Sequence, residues 1–229
     1  MKFLWGENMN DNLEPSAKQQ KIIDAALELL DEKGYNELSL RDIAQKLGVK
    51  APAIYWHFKN KAVLVDYMAE HILNKKMGEI VPRKSEESWQ DWLIHHISLF
   101  RKAMLSYPDG GRVVAGARPF PDGTLVKFLE NSFSSLRSAG MDIQLARNII
   151  LTVIRYTFGC VIEEQAEEQS WETLTDHSMN SGNLTHIMEA ISVGGTDEEN
   201  FMSGLRLIVV GGGEAMASDN AHLDNATNA

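Results

Sequence analysis

The chain of 229 residues has a single cysteine, Cys160. No internal disulfide can staple it, and this fits a reducing compartment. Long apolar runs are also missing. The longest, "IILTVIRYTFGCVI" (149–162), contains Arg155 and is shorter than the roughly 20 apolar residues a membrane-spanning helix needs. The opening "MKFLWGENMN" holds too brief an apolar patch for a signal peptide. There is no HExxH, no phosphate-binding glycine loop and no GxSxG. His95 and His96 are adjacent and project to different faces, a poor arrangement for a metal. These absences favour a cytoplasmic protein outside the membrane, with no metal, no cofactor and no enzymatic activity. A helical enzyme whose groups meet only in three dimensions stays open, as does a helical interaction module.

Charge is unevenly placed. Residues 17–76 carry 10 Lys+Arg against 8 Asp+Glu, a net of +2, and the remainder carries 12 against 24, which recovers the overall −10. The acidity therefore belongs to the body of the chain. The N-terminal segment can meet phosphate if its lysines share a face, or it is simply a solvated helical surface.

Hydrophobic periodicity is helical throughout, and the fold class it implies is all-α. Residues 1–16 read as a disordered leader. Ile22, Ala26, Leu29 and Leu30 form one stripe of a first helix, which Gly34 should stop. Ser39 caps a second helix with Ile43 and Leu47 on its inner face, ended by Gly48. Pro52 suits the first turn of a third, with Ala51 as a poor cap. Asn60 caps a fourth, over 61–76. Three short helices with a glycine-containing turn between the second and third make a helix-turn-helix over 17–62. Val49, Ile54 and Phe58 would face inward. Tyr55, Trp56, His57 and Lys61 would stay outside, offering hydroxyl, indole, imidazole and ammonium donors to a DNA backbone. An aromatic helix end packed on a neighbouring helix is the alternative.

The larger region, 63–217, continues in helices. Trp89, Trp92, Leu93, His96, Ile97, Phe100, Ala103 and Met104 share one stripe, capped by Ser88. A short helical piece is expected within 111–117, a helix over 124–139, and a long one from Asp142 to about residue 168. Residues 169–183 read as irregular and 184–191 as a short helix. A final helix over 198–216 should fray at "GGG" (211–213), and 218–229 should be a disordered tail. The wide apolar faces of the long and final helices call for a second copy of the chain, paired as a four-helix bundle.

"LSLRDIAQKLGVKAPAIYWHFKNKAVLV" resembles the signature of the TetR family of transcriptional regulators. "ESWQDWL", "DGGRVVAGARP", "LEN", "FGCVIEEQ" and "FMSGL" are similar, in order, to segments of its tetracycline-responsive branch. The resemblance covers about residues 18–216. It implies a homodimer that binds palindromic double-stranded operator DNA and is released by a small-molecule effector. It places Arg41 at a base-reading position, and Lys50, Ala51, Pro52, Ala53, Tyr55, Trp56, His57 and Lys61 on the recognition helix and the start of the next. Ala51 and Ala53 stand where that branch has polar base readers, and alanine offers only apolar contact, for instance to a thymine methyl. The resemblance also implies an effector cavity lined by Met77, His96, Phe100, Val114, Ala117, Arg118, Pro119, Ser132 and Glu163. The histidine that holds drug-bound magnesium in that branch falls at Val114, and valine cannot ligate a metal. An effector other than a magnesium–tetracycline chelate is therefore expected. By the residues alone, a lone histidine on such a stripe, like His96, is more often a core residue than a ligand contact, and Arg118 could be only an anchor for its own loop on a neighbouring carboxylate.

Overall fold

The computed structural model describes residues 14–166 and 185–227. The expected leader as far as residue 13, and the expected irregular segment 169–183, lie outside the described residues. Those described form ten helices and no strand. They are α1 (Ala17–Glu37), α2 (Leu40–Lys46), α3 (Ala51–Tyr55), α4 (Lys61–Met77), α5 (Trp89–Leu105), α6 (Gly110–Gly116), α7 (Thr124–Ser138), α8 (Ile143–Glu164), α9 (Thr185–Val193) and α10 (Asp197–Thr227).

Side-chain caps set most of the starts. Ser16 and Gln19 make a reciprocal capping box on α1. Ser39, Asn60, Ser88 and Asp142 each accept a backbone N–H from the first turn of α2, α4, α5 and α8. The third helix has no such bond. Its cap is Lys50 rather than Ala51, and Pro52 in its first turn removes one N–H that would otherwise need a partner.

Three boundaries differ from the sequence reading. Gly34 bends α1 instead of ending it: its φ of +77° is left-handed, and helix resumes to Glu37. The long helix α8 stops at Glu164 rather than near 168. The final helix runs through 211–213 and on to Thr227, past the expected end at 216. Propensity loses there to packing. A Cβ on Gly212 would lie 2.6 Å from Ile149 Cδ1, so the missing side chain lets α10 close on α8.

In helices α1 to α3 and the turns beside them, Leu30, Leu38, Leu40, Ile43, Ala44, Ile54 and Phe58 are buried, and they join one hydrophobic cluster with α4 and the body, Phe58 packing edge-on against Tyr67 of α4. Val49 and Leu47, expected inside, are 44% and 36% exposed. The body packs α5, α7, α8 and α10 together, and α4 joins the two regions by touching α1, α5, α6 and α7. By length and composition α8 could cross a membrane, with only 33% of its most apolar window buried in the single chain. Arg147 and Arg155 on its exposed side do not suit lipid.

Candidate DNA interface and effector cavity

The helix-turn-helix is built around a glycine. Gly48 at φ +65° turns the chain out of α2, and Val49 N–H closes the turn on the Ala44 carbonyl at 2.9 Å. Ile54 and Phe58 lock α3 onto the core, fully buried. Ala51 packs partly against that core, and the rest of α3 with the residues just after it looks outward. Trp56 is 87% exposed and Tyr55 46%, His57 is half-buried, and Pro52 and Ala53 are exposed. Arg41, Lys50 and Lys59 are exposed, and none makes an ion pair among the described residues. Lys46 differs: its ammonium is held by Glu32 at 2.7 Å and Glu28 at 3.0 Å, and hydrogen bonds to those glutamates raise its pKa. The outward surface thus combines free cations with bare rings, as backbone positioning on DNA requires.

Lys61 departs from its expected role. Its Nζ donates to the Tyr35 carbonyl at 2.7 Å and sits 4.4 Å over the Tyr35 ring, and burial lowers its pKa. The ammonium fastens the start of α4 to the end of α1 and is not presented as a free phosphate ligand. Tyr35 N–H in turn donates to Asp109 Oδ2 at 2.8 Å. Asp109 is the cap of α6, in the left-handed region at φ 55°. The end of α1 is thereby bonded to both α4 and α6.

The residues expected to line a cavity fall into two groups. Val114, Ala117, Arg118 and Pro119 meet Asp66, Leu73, Phe120 and Leu125 around a space of about 10 Å³. That volume is about one water's worth. Met77, His96, Phe100 and Ser132 are buried and line neither that space nor the groove described below. His96 stacks on Trp92 at 4.0 Å, and its Nδ1–H donates to the Trp92 carbonyl at 2.9 Å. Burial lowers its pKa, so the ring is neutral near pH 7. Phe128 stacks with Trp92, His96 and Phe100, at interplanar angles of 16° to 19°. Ser132 Oγ donates back to the Phe128 carbonyl, while the buried Ser135 Oγ has no partner. Glu163 is exposed at the end of α8 and does not join either group, because its neighbour Glu164 takes the inward direction. A more open groove of about 440 Å³ lies between α1, α4 and α7, lined by none of the expected residues.

Arg118 is the loop anchor. Asp66, 3% exposed, accepts the Arg118 backbone N–H at 2.7 Å, Nε–H at 3.1 Å and Nη2–H at 2.7 Å. One turn on, Glu70 accepts the Thr124 backbone N–H at 3.0 Å and its hydroxyl at 2.7 Å, capping α7. Two carboxylates of α4 thus hold both ends of the segment 118–124. Sequence reasoning missed them. The signal was present, since Asp66 stands between Val65 and Met68 on an apolar helix, and a buried carboxylate demands a partner. Arg101 was missed likewise. It is buried beneath Phe201 and paired with Glu164 of α8 and Glu198 of α10.

Comparison with known proteins bears on both regions. A family model described as "Bacterial regulatory proteins, tetR family" matches residues 22–68, and one described as "Tetracyclin repressor-like, C-terminal domain" matches 81–215. The chain is 35% identical over 203 residues to the tetracycline repressor protein class C of Escherichia coli, covering 85% of this chain and 90% of that one. Against the class A repressor from transposon 1721 of Escherichia coli it is 40% identical over 145 residues, 63% of this chain and 66% of the other. A possible TetR family transcriptional regulator from Streptomyces coelicolor A3(2) shares the fold with a TM-score of 0.76 at 28% identity, covering 84% and 97% of the two chains. The class A protein in complex with 5a,6-anhydrotetracycline and magnesium gives 0.66 at 30% identity, covering 88% and 99%. The residues here do not fit a protein-held magnesium. Val114 is buried hydrocarbon, the His96 Nδ1 is engaged with the Trp92 carbonyl, and no three His, Cys, Asp or Glu side chains converge among the described residues.

Proposed function

Because the chain belongs to the TetR family of bacterial transcriptional regulators, we propose that it is a homodimeric repressor which grips a palindromic operator and is released by a small apolar, ring-containing effector without a protein-held metal. The observation that carries the DNA half is the bare Trp56 indole on the outer side of a helix locked down by Ile54 and Phe58, among unpaired Arg41, Lys50 and Lys59. Trp56, Tyr55 and His57 position the backbone, and Arg41 reads a base edge.

Dimerisation is supported by what the single chain leaves uncovered. On α10, Leu207 is 75% and Val210 58% exposed, and on α8 Ile143 is 56% exposed while only 33% of the apolar window is buried. Two copies pairing α8 and α10 would cover these faces and set two α3 helices about one DNA turn, ~34–36 Å, apart.

Release follows from the tethers on α4. An effector entering beside Val114, Ala117 and Pro119 must enlarge a space that now holds at most a water. The loop it displaces is bonded to Asp66 and Glu70, so α4 moves with it, and α4 carries the DNA-binding helices. Complete switching, from 1:99 to 99:1, takes about 5.5 kcal/mol of differential binding. Phe100, Pro119, Val114 and Met77 supply apolar contact once the space opens, and His96 and Ser132 supply hydrogen bonds.

The test is titration of tetracycline against the protein–operator complex with and without magnesium, followed by a thermal-shift screen of aromatic antibiotics and metabolites. Weak or magnesium-independent release by tetracycline, with stronger release by another ring-containing compound, is expected. Tight magnesium-dependent release would mean that another residue coordinates the metal and that the chain is a tetracycline-responsive repressor.

A further inference from the structure

The outer side of the DNA-binding unit is more apolar than backbone contact needs. Val49 in the turn, then Pro52, Ala53 and Trp56, are all exposed, spaced i, i+3, i+4 and i+7. Helical segments usually turn such a stripe to the core. Here the core takes Ile54 and Phe58, and the stripe is left to solvent. Val49, expected inside, belongs to this outer surface. The patch is bordered by free cations, Arg41 on α2, Lys50 at the cap of α3 and Lys59 beyond it, so its partner is polyanionic at the edges and apolar in the middle.

In the major groove of DNA the only apolar feature of a base edge is the thymine 5-methyl group. Neither Ala51, Pro52 nor Ala53 carries a side-chain donor or acceptor, so the first turn of α3 cannot address an adenine or guanine edge by hydrogen bonds. Resting on the DNA-binding reading above, we infer that Val49, Pro52 and Ala53 form a dry surface that selects thymines by their 5-methyl groups, with Arg41 supplying the hydrogen-bonded contact to a flanking base. Sequence discrimination in each half-site then comes mainly from buried methyls. It should also accept 5-methylcytosine, which carries the same methyl at the same place, where it would reject cytosine.

The experiment is selection of duplexes from a library with a random 20-base-pair core by the full-length protein, then remaking of the enriched duplex with deoxyuridine for deoxythymidine. Each lost methyl contact is worth about fourfold in affinity, so one contacted thymine per half-site gives about a fifteenfold loss across the palindrome. Cytosine at that position should bind more weakly than 5-methylcytosine. Ala53→Gln should shift the preferred base toward adenine, which glutamine can bond bidentately. An enriched palindrome that binds equally well with deoxyuridine throughout would overturn thymine-methyl reading and leave the regulator reading standing. No enrichment of any sequence would remove the regulator reading and leave the patch to a protein partner.

Discussion

Replacing Arg118 by alanine strips a buried carboxylate of its charge partner. Asp66 would keep the backbone N–H of residue 118 and lose the Nε and Nη2 donors at 3.1 and 2.7 Å. Hydrogen bonds to a charged group contribute about 1.5–3 kcal/mol each, and breaking a fully buried pair costs about 3–5 kcal/mol. This pair is buried on one side only, since the Arg118 side chain is 52% exposed, and water already competes for the guanidinium. A loss of about 2–3 kcal/mol follows. For a chain of this size each kcal/mol moves the midpoint by about 2–4 °C, so Tm should fall by about 4–12 °C. Asp66→Asn keeps the volume and an oxygen for the 118 N–H, and it frees an arginine that is already half in water. Its cost should be nearer 1 kcal/mol. Circular dichroism melts at one fixed protomer concentration read both, since midpoints of an oligomer depend on concentration. An Arg118→Ala midpoint within 2 °C of the parent, or a larger loss for Asp66→Asn, would refute the reasoning.

Lys61→Ala should weaken operator binding while leaving the salt slope unchanged in fluorescence anisotropy, because its ammonium serves the Tyr35 carbonyl and releases no counterion. Lys59→Ala should instead flatten that slope. Stability should fall as pH drops from about 7 towards 5 through His96 and His71, whose folded pKa values are lowered mainly by burial. Below the ordinary histidine pKa of 6.5 the unfolded chain binds more protons than the folded one, so acid favours unfolding in that window. His96→Phe should reduce the difference between melts at pH 7.5 and 5.5. Leu207→Glu should put a charge into the proposed subunit interface and give a monomer by light scattering at micromolar concentration, with operator affinity reduced at least a hundredfold.

The helix count, most caps and the inner faces were legible because they are local. Ser39, Asn60, Ser88 and Asp142 act within one turn, and a 3.6-residue stripe needs no knowledge of the partner helix. The outward placement of Trp56 and Tyr55 was legible too, because Ile54 within the five-residue helix and Phe58 just beyond it take the inward direction. The errors are tertiary. Lys61 looked like a phosphate ligand until the bend at Gly34 brought the Tyr35 carbonyl beneath it. Glu163 and Glu164 are equivalent in a string of acids, and only the buried Arg101 decides which turns inward. Val49 was assigned to a core that Ala44, Ile54 and Phe58 complete without it. The cavity was the least legible part. Its expected residues are mostly buried, but whether they enclose space depends on how far segment 117–120 stands from α4, which the Asp66–Arg118 pair sets.

The most direct test of the central claim is a gel mobility shift with the purified full-length protein and DNA from upstream of its own coding region, at about 150 mM salt and with excess random competitor. A single discrete retarded complex at nanomolar protein, with a two-fold symmetric footprint and a stoichiometry of two chains per site, is the predicted result. Binding that the random competitor abolishes at every protein concentration, or one chain per site, would contradict it.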